Sequence, residues 1–211
     1  MKFSPIKIAQ QFKRYYKVFS LSIYGLTIFA LFWVLIAGNQ LAPFRFLGKK
    51  FGDIAVICFC LSLVPGIARR LKMKNTAITI LGLVRPQLGK LMFVFVVFHM
   101  ITLRLIPSIK FGVEFPSLFE IFGWLAFLLT LPLYLTSNPQ MTARLGKNWK
   151  RLHRLVYIIV WLVFLHLAFG SMNLSFWLVT PTAIVELMSL FVEYIQKRAI
   201  VEKQQDTRIL N

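Results

Sequence analysis

Acidic side chains are scarce in this chain. Seven Asp and Glu stand against 25 Lys and Arg in 211 residues, a formal charge of +18. Such an excess suits nucleic acid or an anionic lipid surface. The bases do not gather on one face, however; they punctuate long apolar runs, which sets nucleic acid aside. Only two cysteines occur, Cys58 and Cys60. A disulfide between residues so close in the chain would be strained, and no zinc-ligand motif lies near, so they read as small buried hydrophobes. The chain shows no internal repeat, no soluble domain, no long linker and no glycine-rich nucleotide loop. Histidine occurs three times, each time in or beside an apolar run.

What the chain has in plenty is hydrocarbon: 58% of its residues are hydrophobic, and 21 are Phe. A bilayer core needs about 20 apolar residues per spanning helix. Lipid offers backbone groups no outside partner, so runs of this kind are expected to be helices. Six spans can be read, at about 17–38, 51–67, 87–107, 117–137, 151–170 and 174–196. The run from Val18 to Ala37 is nearer to a spanning helix than to a signal core of roughly 7 to 15 residues. The second span is expected to end at Pro65-Gly66 and the third to start near Pro86. The last dozen residues, AIVEKQQDTRIL, are expected to form a loose tail. The expected fold is therefore an all-α integral membrane protein, a single domain over 1–211 built as a six-transmembrane-helix bundle.

Lys and Arg are unevenly shared between the two ends of these spans. Twenty of the 25 fall in the N-terminus, the loops after spans two and four, and the C-terminus. The other five are Arg45, Lys49, Lys50, Arg104 and Lys110. The positive-inside rule then places both termini in the cytoplasm, and this bias together with contact with anionic membrane lipids accounts for most of the charge.

An ionisable group inside a span is costly and usually has an interior partner. The plain reading of one such histidine is an imidazole bonded to a neighbouring carbonyl or hydroxyl. Three of them invite more. His99 lies about 13 residues into span three and His166 about 15 into span five, or roughly 20 Å along each helix. The two helices run the same way, so the imidazoles reach one depth and can clamp a flat metal cofactor between them. Haem fits a dry, aromatic-rich site of this kind, whereas structural zinc asks for four ligands. His153 sits at the basic end of span five. Arg85 falls near the face of span three that carries His99. It is too basic to ligate iron, but it can bind a propionate or a flavin phosphate, or act as an anchor before Pro86.

The segments LTSN (135–138) and RLGKNWKRLHRLVYI (144–158) sit between His99 on span three and His166 on span five. Taken together, these features resemble the ferric-reductase-like transmembrane family, and within it the haem-binding membrane subunits of bacterial protein-methionine-sulfoxide reductase systems. The resemblance implies a multi-pass b-type cytochrome of the bacterial inner membrane, with His99 and His166 on one haem b. It implies a second, inner cofactor site at His153 and Arg85, for another haem or for FMN. Electrons are then expected from a cytoplasmic flavin reductase or from membrane quinol. The resemblance implies a periplasmic molybdopterin-containing reductase as their destination. The sequence departs from the family pattern after Arg85, where Pro86 replaces a second basic residue. With no nucleotide motif and no room for a NADPH/FAD domain, the chain is not expected to be a complete ferric reductase or NADPH oxidase.

Two further residues are candidates. Arg104, just beyond His99, can pair with haem propionates or snorkel to the interface. Glu186, deep in span six, suits protonation at a quinone site or an ion pair with a neighbouring span. Trp149, Tyr157 and Trp177 suit interfacial belts. The expected role is electron carriage, with the cofactor doing the redox chemistry. The rivals are a cytochrome b subunit of another quinol-linked complex, and a cofactor-free scaffold or transporter whose histidines bond between helices.

Overall fold

The computed structural model describes residues 42–112 and 114–209, with isolated positions between 6 and 32. The long helices are α1 (Ala42–Arg70), α2 (Thr76–Met100), α4 (Leu118–Leu135), α7 (Val156–Gly170) and α8 (Leu174–Ile209). A π-helical turn, Ile101–Leu105, joins α2 to the short α3 (Ile106–Phe111). Two short helices, α5 (Pro139–Leu145) and α6 (Lys147–Leu152), and a 3-10 turn, His153–Leu155, lead into α7. No strand occurs among the described residues.

Five helical stretches are long and apolar enough to cross a membrane: Arg45–Arg70, Thr76–Ile109, Leu118–Leu135, Lys147–Gly170 and Leu174–Glu202. The chain is thus a multi-pass membrane protein. The first expected span, about 17–38, lies outside the described residues apart from isolated helical positions. One of these is Tyr24, whose hydroxyl lies 3.0 Å from that of Tyr134 on α4.

The boundaries differ from the expected ones where lipid overrides local signals. Helix α1 does not stop at Pro65-Gly66 but runs on to Arg70. Ending a helix within the apolar layer would strand more backbone groups than the one hydrogen bond that proline removes. Helix α2 starts not near Pro86 but at Thr76, where the Asn75 side chain accepts a hydrogen bond from the Ala77 amide at 3.1 Å. Pro86 and Arg85 therefore lie inside α2. The expected loose tail is instead the end of α8. No Gly or Pro interrupts it after Pro181, and the pairs Glu193–Lys197 at 2.6 Å and Arg198–Glu202 at 3.1 Å brace successive turns.

Close packing runs from α1 to α2, α2 to α4, α4 to α7, α7 to α8 and α8 back to α1, which closes a ring of five helices. Phe59, Leu63, Ile159, Val160 and Ala183 fill part of its interior. Helices α2 and α7, which carry His99 and His166, are not among the closely packed pairs. The ends of the ring differ. At one end α2 and α7 bring up these two histidines; at the other lie Arg69, Arg70, Arg85 and His153.

Candidate functional site

His99, on the last turn of α2, and His166, on α7, meet across the ring. Their ring centroids lie 6.4 Å apart, with the ring planes at 86°. The Nδ1 of His99 is 2.9 Å from the carbonyl oxygen of Gly48, on α1. The Nδ1 of His166 is 2.7 Å from the carbonyl oxygen of Phe119, on α4. A carbonyl only accepts, so each Nδ1 carries the proton and donates. That fixes the tautomer and leaves each Nε2 lone pair for a ligand.

The spacing can be tested against a shared metal. Two metal–nitrogen bonds of about 2.0 Å, with about 1.1 Å from each ring centre to its nitrogen, span about 6.2 Å. The observed separation therefore suits two imidazoles on opposite sides of one metal ion. Among the described residues no three His, Cys, Asp or Glu side chains gather as a ligand set, so what the described site offers is two imidazole nitrogens.

Three glycines make this approach possible. A Cβ on Gly52 would lie 2.5 Å from His99 Nδ1, and one on Gly123 would lie 2.8 Å from His166 Nδ1. A Cβ on Gly48 would collide with Thr102, whose hydroxyl donates to the Phe98 carbonyl at 2.8 Å. Beyond the pair, Arg104 forms an ion pair with Glu120 at 3.3 Å and donates to the carbonyl of Glu114. Glu120 in turn accepts from the Ser117 amide at 2.7 Å, capping α4. Cys58 and Cys60 are free and buried.

The opposite end is built differently. His153 stacks on Trp149 with centroids 4.1 Å apart, and its Nε2 is 3.3 Å from the Thr136 hydroxyl. Trp149 is anchored too, its indole N–H donating to the Thr136 carbonyl at 3.0 Å. It thereby supports His153, whereas Trp177 is 63% exposed. Arg85 stands within electrostatic reach of His153 and is only half-buried. Its guanidinium and that of Arg70 would each lie 3.9 Å from a Cβ on Gly66. Arg70 meets Glu186 at 2.6 Å, a close ion pair rather than an aligned hydrogen bond. It also donates to Ser189 at 2.9 Å and to Tyr157 at 3.1 Å. Glu186 is 2% exposed, and its Oε2 has no hydrogen-bond partner among the described residues.

The structure therefore brings His99 and His166 together. It sets His153 and Arg85 at the other end of the ring, with His153 roughly 20 Å along the helix from His166. Arg104 lies with the histidine pair, paired to Glu120. Sequence reasoning missed Gly48, Gly52, Phe119 and Gly123. The available signal was Gly48 and Gly52 four apart in one span, a small-residue spacing that lets helices approach closely.

The family described as ferric reductase like transmembrane component matches residues 51–164, more than half of the chain. A protein-methionine-sulfoxide reductase heme-binding subunit MsrQ from Herminiimonas arsenicoxydans is 34% identical over 132 residues, covering 59% of this chain and 58% of that protein. Its counterpart from Rhizobium meliloti is 38% identical over 90 residues, covering 40% of this chain and 41% of that protein. The magnetosome protein MamZ of Magnetospirillum gryphiswaldense is 34% identical over 131 residues, covering 59% of this chain but 20% of its own length. The chain thus spans less than two thirds of each of these relatives. No solved structure matches it significantly.

Proposed function

The chain belongs to the ferric-reductase-like transmembrane family, and from that premise we propose that it is a haem b-binding membrane subunit that carries electrons across the bacterial inner membrane. The observation that carries this reading is the pair His99 and His166, with centroids 6.4 Å apart and both Nδ1 atoms bonded to main-chain carbonyls. Their Nε2 atoms would hold the iron from its two sides. When bound, haem supplies the one-electron chemistry that no side chain here can. Phe119, with its ring 5.7 Å from that of His166, gives the site an apolar wall. Arg104 provides a cation for a propionate.

The basic end faces the cytoplasm in this reading, with both termini on that side. His153, Arg85 and Trp149 then form an inner site, where a second haem, FMN or a quinol head group is received. Arg85 supplies positive charge for a carboxylate or phosphate, and His153 offers a ring nitrogen. The donor is a flavin reductase or membrane quinol. The relatives named as heme-binding subunits of a protein-methionine-sulfoxide reductase support a reductase of that kind as acceptor; in this reading it is a periplasmic molybdopterin-containing enzyme. In a second reading the chain is a cytochrome b subunit of another quinol-linked complex, and the likeness to the magnetosome protein MamZ shows that similar stretches occur in proteins not named for methionine-sulfoxide reduction.

The test is purification in detergent with haem supplied in excess. A Soret band that shifts on dithionite reduction is expected, and a colourless protein overturns the reading. Recovery of a methionine-sulfoxide reductase with the tagged chain separates the first acceptor from the second.

A further inference from the structure

Gly52 and Gly123 stand in the same relation to their histidines. Each lies four residues after the carbonyl that captures an imidazole: Gly48 then Gly52 on α1, and Phe119 then Gly123 on α4. In an α-helix the carbonyl of residue i already accepts from the amide of residue i+4. The Cβ of residue i+4 tilts back toward the helix N-terminus, beside that carbonyl. A donor reaching the same oxygen from another helix must pass where this Cβ would be. With any side chain the approach is blocked, because the virtual Cβ atoms fall 2.5 Å and 2.8 Å from the imidazole nitrogens. Glycines elsewhere in the bundle lack this role; a Cβ on Gly82 meets only Pro65, at 3.9 Å.

We propose that Gly52 and Gly123 are positioning residues for the paired histidines, opening two main-chain carbonyls so that each captures one Nδ1–H and together they lock the imidazole planes near perpendicular. The proposal rests on the haem reading given above. The captured carbonyls belong to different helices, so each ring's plane is set by its own neighbour: α1 for His99, α4 for His166. The observed 86° between planes is the joint result. Each Nδ1–H···O bond also pushes electron density toward Nε2, making it a stronger donor to ferric iron and lowering the reduction potential.

The experiment uses the full chain purified with haem b. Near-perpendicular imidazoles give ferric iron a highly anisotropic low-spin electron paramagnetic resonance signal, and this is expected of the wild type. An ordinary rhombic signal, as from parallel rings, overturns the locking even if no variant folds. Gly52→Ala and Gly123→Ala are then compared with Gly82→Ala. Haem affinity is expected to fall by roughly 10–100-fold, the usual cost of losing an outer-shell partner. The remaining haem is expected to show a raised potential and a less anisotropic signal, with Gly52→Ala the more severe. If both variants match Gly82→Ala in affinity, potential and signal, the positioning role is wrong while the haem reading stands. A wild type that takes up no haem overturns both.

Discussion

The two ends of the ring hold their histidines by different means. His99 and His166 are held by main-chain carbonyls, at 2.9 Å and 2.7 Å. His153 is held by side chains: a hydroxyl at 3.3 Å and a stacked indole at 4.1 Å. A carbonyl within a helix cannot change rotamer, so the first pair is preorganised before any cofactor arrives. The second end relies on groups that can rotate, and beside it stands a buried ion pair, Arg70–Glu186, with one carboxylate oxygen unpartnered among the described residues. A fixed site suits a permanent ligand. An adaptable, charged one suits a group that comes and goes.

The largest break in this contrast is expected at the fixed end. His99→Ala and His166→Ala each remove one axial nitrogen, and absorption spectra of both variants should lose the low-spin bis-imidazole bands entirely. If both keep the wild-type spectrum at full haem occupancy, the pairing is wrong.

Next in size is the buried ion pair. Glu186→Ala removes the close counterion of the buried Arg70 charge and should cost about 3–5 kcal/mol of stability, read as a lower thermal midpoint in detergent. The double variant Arg70→Met with Glu186→Leu should recover most of that loss, because a well-packed apolar pair can replace a buried ionic one. A single variant as stable as the wild type would show that the pair is dispensable to the fold.

The smallest and most selective change concerns His153. His153→Ala should leave the spectrum from the His99–His166 end intact and its reduction by dithionite near normal, yet slow its reduction by reduced flavin in rapid-mixing measurements. An unchanged flavin rate would reduce His153 to a structural contact of Thr136.

Much of this arrangement was legible in the sequence. Hydropathy gave the described spans, and counting along two parallel helices put His99 and His166 at one depth. Helix ends were harder to read. Pro65 and Pro86 look like punctuation, but in lipid the cost of exposed backbone outweighs one missing hydrogen bond, and both helices run through. That same fact moved Arg85 from a loop into α2. The partners of Glu186 and of the two imidazoles were not readable. Arg70 and Gly48 lie far from them in the chain, and only the ring closure of α1 against α2 and α8 brings them near. The glycines were hidden for a related reason, since a missing Cβ matters only once it is known what comes to fill its place.

Just after His99 the chain makes one wide turn, Ile101–Leu105, which holds Arg104 and in which the Ile106 amide reaches back to the Ile101 carbonyl. A turn of this kind holds one residue more than a regular helix does, so it offsets the phase of everything after it by about 100°. The turn that carries His99 and the lip of the bundle are therefore set by separate angular choices along one continuous rod. Removing a single residue from this turn would not shorten the path noticeably. It would rotate Arg104 off Glu120 and leave His99 where it is.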